Sequence, residues 1–159
     1  MIAIERATEP TAEVRGLVTE LEQVLAAEYP PEQRHGLAVD ALFEPHVRFF
    51  VASLEGAPVG CGGVAFFADF AEVKRMYVRP RARGKGVARA VLGRIEAEAH
   101  AEGLRVLRLE TGTNQVEAMR LYERWGFRRR EAFGAYAVMP PHEVATSVFY
   151  EKPIGPRPG

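Results

Sequence analysis

The sequence predicts an α/β (α+β) domain: a mixed, mostly antiparallel sheet of about seven strands with one parallel pair, flanked by about four helices. Three observations carry that expectation. Apolar residues recur at helical spacing in two long segments, Thr11 to Glu28 and Gly84 to Ala101. Between them, residues 47–78 read as three strands joined by short turns, an arrangement that pairs them antiparallel. Strand 70–78, helix 84–101 and strand 106–110 then form a crossover unit, which leaves its two strands parallel.

Each element has its own signal. Ile2 and Ile4 alternate with Ala3 and Glu5 as a short strand, and Thr8 to Thr11 with Pro10 turns the chain into a helix. Val14, Leu17, Val18, Leu21, Val24 and Leu25 form that helix's apolar stripe, and Pro30-Pro31 stops it. A second short helix is expected over Glu32 to Leu42, with His35, Asp40, Glu44 and His46 in or near its connections. Val47–Leu54 and Val59–Phe67 are strands around the turn Glu55-Gly56-Ala57-Pro58. In Phe70–Val78, strict alternation puts Val73, Arg75 and Tyr77 on one face and Glu72, Lys74, Met76 and Val78 on the other. Val87, Val91, Leu92 and Ile95 line the inner face of the following helix, which Gly103 ends.

A short strand over Val106–Glu110 and a loop at Thr111–Asn114 lead to a helix over Gln115–Arg124. Its stripe is Ala118, Leu121, Tyr122 and Trp125, with Gly126 as the cap. Phe127–Arg130 starts a strand, Glu131–Glu143 is an irregular aromatic insertion, and Val144–Glu151 is the last strand. Residues 1–152 are expected to form a single domain and residues 153–159 a tail, in keeping with about 150 residues per domain for a chain of 159.

Composition removes several classes of function. With 47% hydrophobic and 26% charged residues, the chain is neither collagen-like nor wholly disordered. No apolar run approaches the about 20 residues of a membrane-spanning helix, and Met1–Arg6 lacks the basic start and apolar stretch of a secretory signal. A cytoplasmic protein without a membrane partner is expected. The single cysteine, Cys61, and histidines without metal-ligand spacing leave no metal site to expect. Cys61, in Gly60-Cys61-Gly62-Gly63 within a strand, reads as a small buried residue rather than an acyl-carrying nucleophile. His35, His46 and His142 read as surface or packing residues that fall where substrate contacts vary.

The net charge is zero, but the total conceals a separation. Residues 1–46 hold three basic and nine acidic side chains, and residues 74–94 hold eight basic and no acidic ones. The basic run continues into Val78-Arg79-Pro80-Arg81-Ala82-Arg83-Gly84-Lys85-Gly86-Val87-Ala88, which joins a strand to a helix start. Unpaired N–H groups and the positive end of the helix dipole meet there. Gly84 and Gly86 let the backbone approach an anion closely, and the surrounding arginines and lysine add charge-assisted contacts. This is a phosphate or pyrophosphate cradle, although a lone Gly-x-Gly also serves tight turns. The third glycine and following acid of a dinucleotide site are missing, as is the Gly-Lys-Ser/Thr of a P-loop.

Arg81-Ala82-Arg83-Gly84-Lys85-Gly86 resembles the Arg/Gln-x-x-Gly-x-Gly/Ala signature of the GCN5-related N-acetyltransferases (GNAT), and it follows a strand like that family's. Asn114, Ala118, Tyr122, Gly126 and Phe127 are similar to the family's second cofactor motif. The resemblance implies a splayed parallel pair holding acetyl-CoA, with the pyrophosphate on the amides of Arg81, Ala82, Arg83, Gly84, Lys85 and Gly86. It implies that the pantetheine arm runs along Met76, Tyr77 and Val78, that Asn114 contacts the arm, and that Tyr122 is the general acid. Acetyl would pass directly to an amine.

The chemistry asks for more. A protonated amine must lose a proton before attack. Glu72 and Glu110, each in a strand near the expected site, are the candidate bases, with pairing to a neighbouring arginine as the competing role of each. A backbone N–H at the end of strand 70–78 would stabilise the oxyanion. For Tyr122 the competing role is a core aromatic. The acceptor side would be built from the segment Glu28 to His46 and the insertion from Phe133 to His142; the acids Glu28, Glu32, Asp40 and Glu44 would draw a cationic amine. A small-molecule or peptide amine fits. The aromatic insertion would either close over that molecule or line a homodimer contact. Two other readings are a non-catalytic acetyl-CoA-binding regulatory module and a nucleic-acid binder using Lys74 to Arg94. Neutral overall charge and the lack of a stacking motif weigh against nucleic acid.

Overall fold

The computed structural model describes residues 1–155. Strands β1 (Ile2–Ala7), β2 (Val47–Leu54), β3 (Ala57–Phe66) and β4 (Ala71–Val78) pair antiparallel in succession. β5 (Val106–Gly112) lies parallel to β4, and β7 (Ser147–Pro153) runs between β5 and the short edge strand β6 (Arg128–Arg130). Mixed and mostly antiparallel, the seven-stranded sheet matches the expectation.

Helices cover both faces. Thr11 caps α1 (Ala12–Glu28), its hydroxyl accepting the Val14 N–H at 3.2 Å. α1 buries Val14, Leu17, Val18 and Leu21 against Phe49 and Cys61. On the opposite face, α2 (Val87–Ala101) and α3 (Val116–Arg124) close over Phe50, Val64, Leu107 and Leu109. Each aliphatic or aromatic side chain fully buried here contributes roughly 1.5–3 kcal/mol.

Four expectations are corrected. Residues 32–42 form no α-helix, so three α-helices flank the sheet among the described residues; two 3-10 turns, Pro31–Gln33 and Val39–Phe43, take its place. Only Leu42 is buried in those turns, so no apolar stripe supports a helix, and a Cβ on Gly36 would lie 2.2 Å from the Arg75 guanidinium carbon. α2 starts at Val87 rather than Gly84, because Gly84 and Gly86 have φ of 76° and 84°, outside the right-handed helical region. The last strand begins at Ser147 and reaches Pro153, and the Ile154 N–H still bonds the Arg105 carbonyl at 2.9 Å. Residues 156–159 of the expected tail lie outside the described residues.

The fourth correction matters most for the site. Cys61 pairs with Tyr77 but Gly63 with Lys74, so β4 carries one extra residue. Arg75 takes a φ of 54° in this bulge. Nonlocal contacts hold it there: its Nε donates to the Leu37 carbonyl and its Nη2 to Glu22, both at 2.9 Å. The bulge breaks the alternation. Val73 shares the α2 face with Met76 and Val78, and Tyr77 faces α1.

Candidate active site

β4 and β5 pair only through Ala71–Leu107 and Glu72–Arg108. Beyond that point β5 follows β7 along its full length and β4 follows β3, so the two parallel strands diverge as expected. The gap is the floor of a cleft of about 650 Å³. Met76, Tyr77, Val78, Glu72, Glu110, Asn114 and Tyr122 all border it. The β4 backbone past Glu72 has no β5 partner, so amide groups on that edge are available to a ligand.

The glycine loop closes one end. Pro80–Ala82 makes a 3-10 turn, and Gly86 stands at the α2 N-terminus without a side-chain cap. Among the described residues, apart from its chain neighbours, nothing lies within 4 Å of a Cβ built on Gly84, so the space above it is open. Half of the basic run is committed to ion pairs: Lys74 with Glu72, Arg75 with Glu22, Arg79 with Glu20 and Arg94 with Glu98. Arg81, Arg83, Lys85 and Arg89 enter no ion pair among the described residues, and these four surround the loop. An uncapped helix start, two left-handed glycines and the cations Arg83, Lys85 and Arg89 suit a pyrophosphate. Ala82, Arg83, Gly84 and Gly86 border the cleft; Arg81 turns to a shallow depression with Glu20 and Arg79, and Lys85 is exposed at the loop.

The candidate acid and bases stand on opposite faces of the sheet. Tyr122 packs with Leu107, Leu109, Phe127 and Tyr150 on the α2/α3 face, yet its surroundings open to the cleft. Burial, aided by the Glu110 charge, pushes its phenol well above the ordinary tyrosine value. The hydroxyl therefore keeps its proton at neutral pH and can donate it. Ala118, Leu121 and Trp125, the rest of the apolar stripe that carries Tyr122, are half-buried and also line the cleft.

On the other face, Glu72 is 4% exposed. It accepts from the Tyr136 hydroxyl at 2.6 Å and pairs with Lys74 at 2.8 Å, while Lys74 also donates to Tyr136 at 2.9 Å. Glu110 lies opposite Phe149, which packs against Tyr136, and among the described residues its carboxylate accepts from the Ser147 hydroxyl at 2.6 Å and no other group. Burial raises its pKa above the ordinary glutamate value, outweighing Ser147, His35 and Lys74, which act in the opposite sense. Cys61 is buried and its thiol is pushed up to about 12 by burial, in keeping with a packing role.

The two segments expected on the acceptor side meet. Gln33 Nε2 donates to the His142 carbonyl at 3.1 Å, Thr146 donates to Gln33 at 3.1 Å, and His35 Nε2 donates to the Glu143 carbonyl at 2.6 Å. His35 also stands edge-on to Tyr136, with 5.6 Å between ring centres. Phe133 and Tyr136 are buried against Phe149 within the chain. The acids of the amino-terminal third are largely matched internally: Glu28 accepts from the Asn114 side chain at 3.0 Å and Glu20 clamps Arg79. Tyr29, Arg34 and Tyr136 fall inside the two segments expected on the acceptor side, where the sequence gives them no individual role, and Arg75 reads there only as a strand residue; all four border the cleft. Tyr29 bonds Gln115 at 2.6 Å and the Asn114 N–H at 2.9 Å, joining the end of α1 to the β5–α3 loop. Partners this distant in sequence leave no local signal; the Tyr in the aromatic insertion was the only hint.

A splayed mixed sheet ending on a glycine loop defines a class of acyl-transferring protein, and comparison places the chain within it. The family model described as "Acetyltransferase (GNAT) family" matches residues 10–127. The chain belongs to that family and is an acyltransferase. It is 44% identical over 140 residues to an "IAA acetyltransferase" of Azospirillum brasilense, covering 87% of this chain and 88% of that one. A crystal structure of a candidate acyl-CoA N-acyltransferase from Klebsiella pneumoniae is 31% identical, covers 98% of this chain and 99% of its own, and superposes with a TM-score of 0.76. The PaiA N-acetyltransferase of Thermoplasma acidophilum, solved with coenzyme A, shares the fold at 16% identity and a TM-score of 0.72, covering 96% of this chain and 99% of its own. No helix among the described residues is long and apolar enough to cross a membrane.

Proposed function

We propose that this protein transfers an acetyl group from acetyl-CoA directly to the amine of a small molecule or peptide, with residues 1–152 as one catalytic domain. The observation that carries the reading is the β4–β5 gap, with a glycine loop at one end, a protonated tyrosine on one face and a carboxylate of raised pKa on the other. The 44% identical acetyltransferase supports acetyl as the group moved. In this reading the pyrophosphate rests on the amides of residues 81–86 and the arm follows Met76 to Val78. Glu110 takes the proton of the acceptor ammonium, a task suited to a carboxylate whose pKa burial has raised. The free amine attacks the thioester carbon, and a β4 N–H past Glu72 stabilises the oxyanion. As the C–N bond forms and the C–S bond breaks, Tyr122 gives its proton to the leaving thiolate; the attacking nitrogen sheds its second proton to water, and the Tyr122 phenolate is reprotonated from solvent. Glu72, bound by Lys74 and Tyr136, holds that wall in place.

The test is release of free thiol from acetyl-CoA against a panel of amines, amino acids and peptides, with Tyr122→Phe measured in parallel. Turnover that falls in the variant is expected. Cofactor binding without turnover on any acceptor would favour a non-catalytic acetyl-CoA-binding module, and undiminished turnover in the variant would remove Tyr122 as the acid.

A further inference from the structure

Arg34 carries a polar group that has no partner among the described residues. Its Nε is buried, and among the described residues it makes no hydrogen bond. Buried donors left unmatched are rare in folded proteins and costly to retain. The other cations at this end of the cleft are matched, Lys74 by Glu72 at 2.8 Å and Arg75 by Glu22 at 2.9 Å. Arg34 borders the cleft and enters no ion pair among the described residues.

Its position is fixed from both sides. Gln33 is bonded to His142 and Thr146, and His35 to Glu143, so the backbone around Arg34 is pinned to the loop before β7. His35 packs on Tyr136, which bonds Glu72. Arg34 therefore stands at the Glu72 and Glu110 end, away from the cations of the glycine loop. The Nε position is closed to water, but neither Nη group of Arg34 is buried or hydrogen-bonded among the described residues, and their paired N–H groups form a fork that fits the two oxygens of a carboxylate.

We infer that the amine acceptor also bears a carboxylate, and that Arg34 is the residue that holds it. The acceptor is thus amino-acid-like, its ammonium directed to the acidic wall and its carboxylate to Arg34. A polyamine would bring a second cation against the unmatched guanidinium. This inference rests on the proposed acetyl transfer and narrows its acceptor.

The test uses matched sets of acceptors: alanine, methionine and phenylalanine, the carboxamide of each, and the amine of each without its carboxyl group. Thiol release from acetyl-CoA is measured for the wild type, Arg34→Gln and Arg34→Lys. The wild type is expected to prefer the acid over its carboxamide in at least one set. Arg34→Gln is expected to lower that acid-to-carboxamide ratio of kcat/KM about tenfold or more, chiefly through KM for the acid, with Arg34→Lys recovering part of it. The ratio compares two acceptors on one protein, so a loss of folded protein cancels. A wild type that acetylates carboxamides or simple amines as well as acids overturns the inference, as does an unchanged ratio in Arg34→Gln or a rise in KM confined to acetyl-CoA. A wild type that acetylates no amine at all removes the transfer reading, and this inference with it.

Discussion

The two faces of the sheet at the β4–β5 gap treat charge in opposite ways. On the α2/α3 face Tyr122 stands among Leu109, Phe127 and Tyr150, and burial holds its proton in place. On the α1 face Glu72, Lys74, Tyr136, Glu110 and Ser147 form a polar wall. One wall can only give a proton; the other contains a group placed to take one. The bulge at Arg75 sharpens the contrast, because it brings Val73, Met76 and Val78 to the same apolar side and leaves the other side to polar residues.

The contrast can be broken one wall at a time. The largest effect is expected from Tyr122→Phe, which should lower kcat by about 10³ with little change in Tm. Steady-state kinetics beside thermal unfolding checks this. Gly86→Asp disrupts the loop that closes the cleft: an L-residue is forced to a φ of 84° and a carboxylate is set at the proposed pyrophosphate cradle. Acetyl-CoA affinity measured by calorimetry should fall roughly 100-fold.

Glu110→Gln should lower kcat about 30-fold while making the protein more stable. The sign follows from linkage. Glu110 has a higher pKa folded than unfolded, so the folded state binds more protons between the two values and stability falls as pH rises through that window. Glutamine carries no charge and escapes that loss. Its gain in Tm should be present at about pH 7.5 and vanish near about pH 4, where the unfolded carboxyl is also protonated. Scanning calorimetry at the two values decides it. The smallest effect is expected at Glu72→Gln, where the amide can still accept from Tyr136. Stability should drop by about 1–2 kcal/mol as Lys74 loses its carboxylate, and kcat should stay within about threefold. A larger kcat loss there than at Glu110 would exchange their roles.

Much of this contrast was legible in the sequence and part was not. The glycine loop, the long helices and the crossover unit are local patterns, so Gly84, Gly86, Glu72 and Glu110 could be placed near one site from the order of elements, and Tyr122 from its motif's resemblance to the family. The bulge could not. Arg75 has neither the glycine nor the proline that marks such irregularities, and its conformation is held by Glu22 and Leu37, far along the chain. The mistaken helix over residues 32–42 has a related origin. That segment takes its shape from docking on residues 142–146 and around the Arg75 side chain. Arg34 and Tyr136 reach the cleft by the same long-range docking.

A crystal structure with coenzyme A bound tests the central claim most directly. The thiol sulfur should lie in the β4–β5 gap within about 3.5 Å of the Tyr122 hydroxyl, with Glu110 across the gap on the acceptor side. A thiol resting against the α1 face, out of reach of Tyr122, would contradict the division of the two walls.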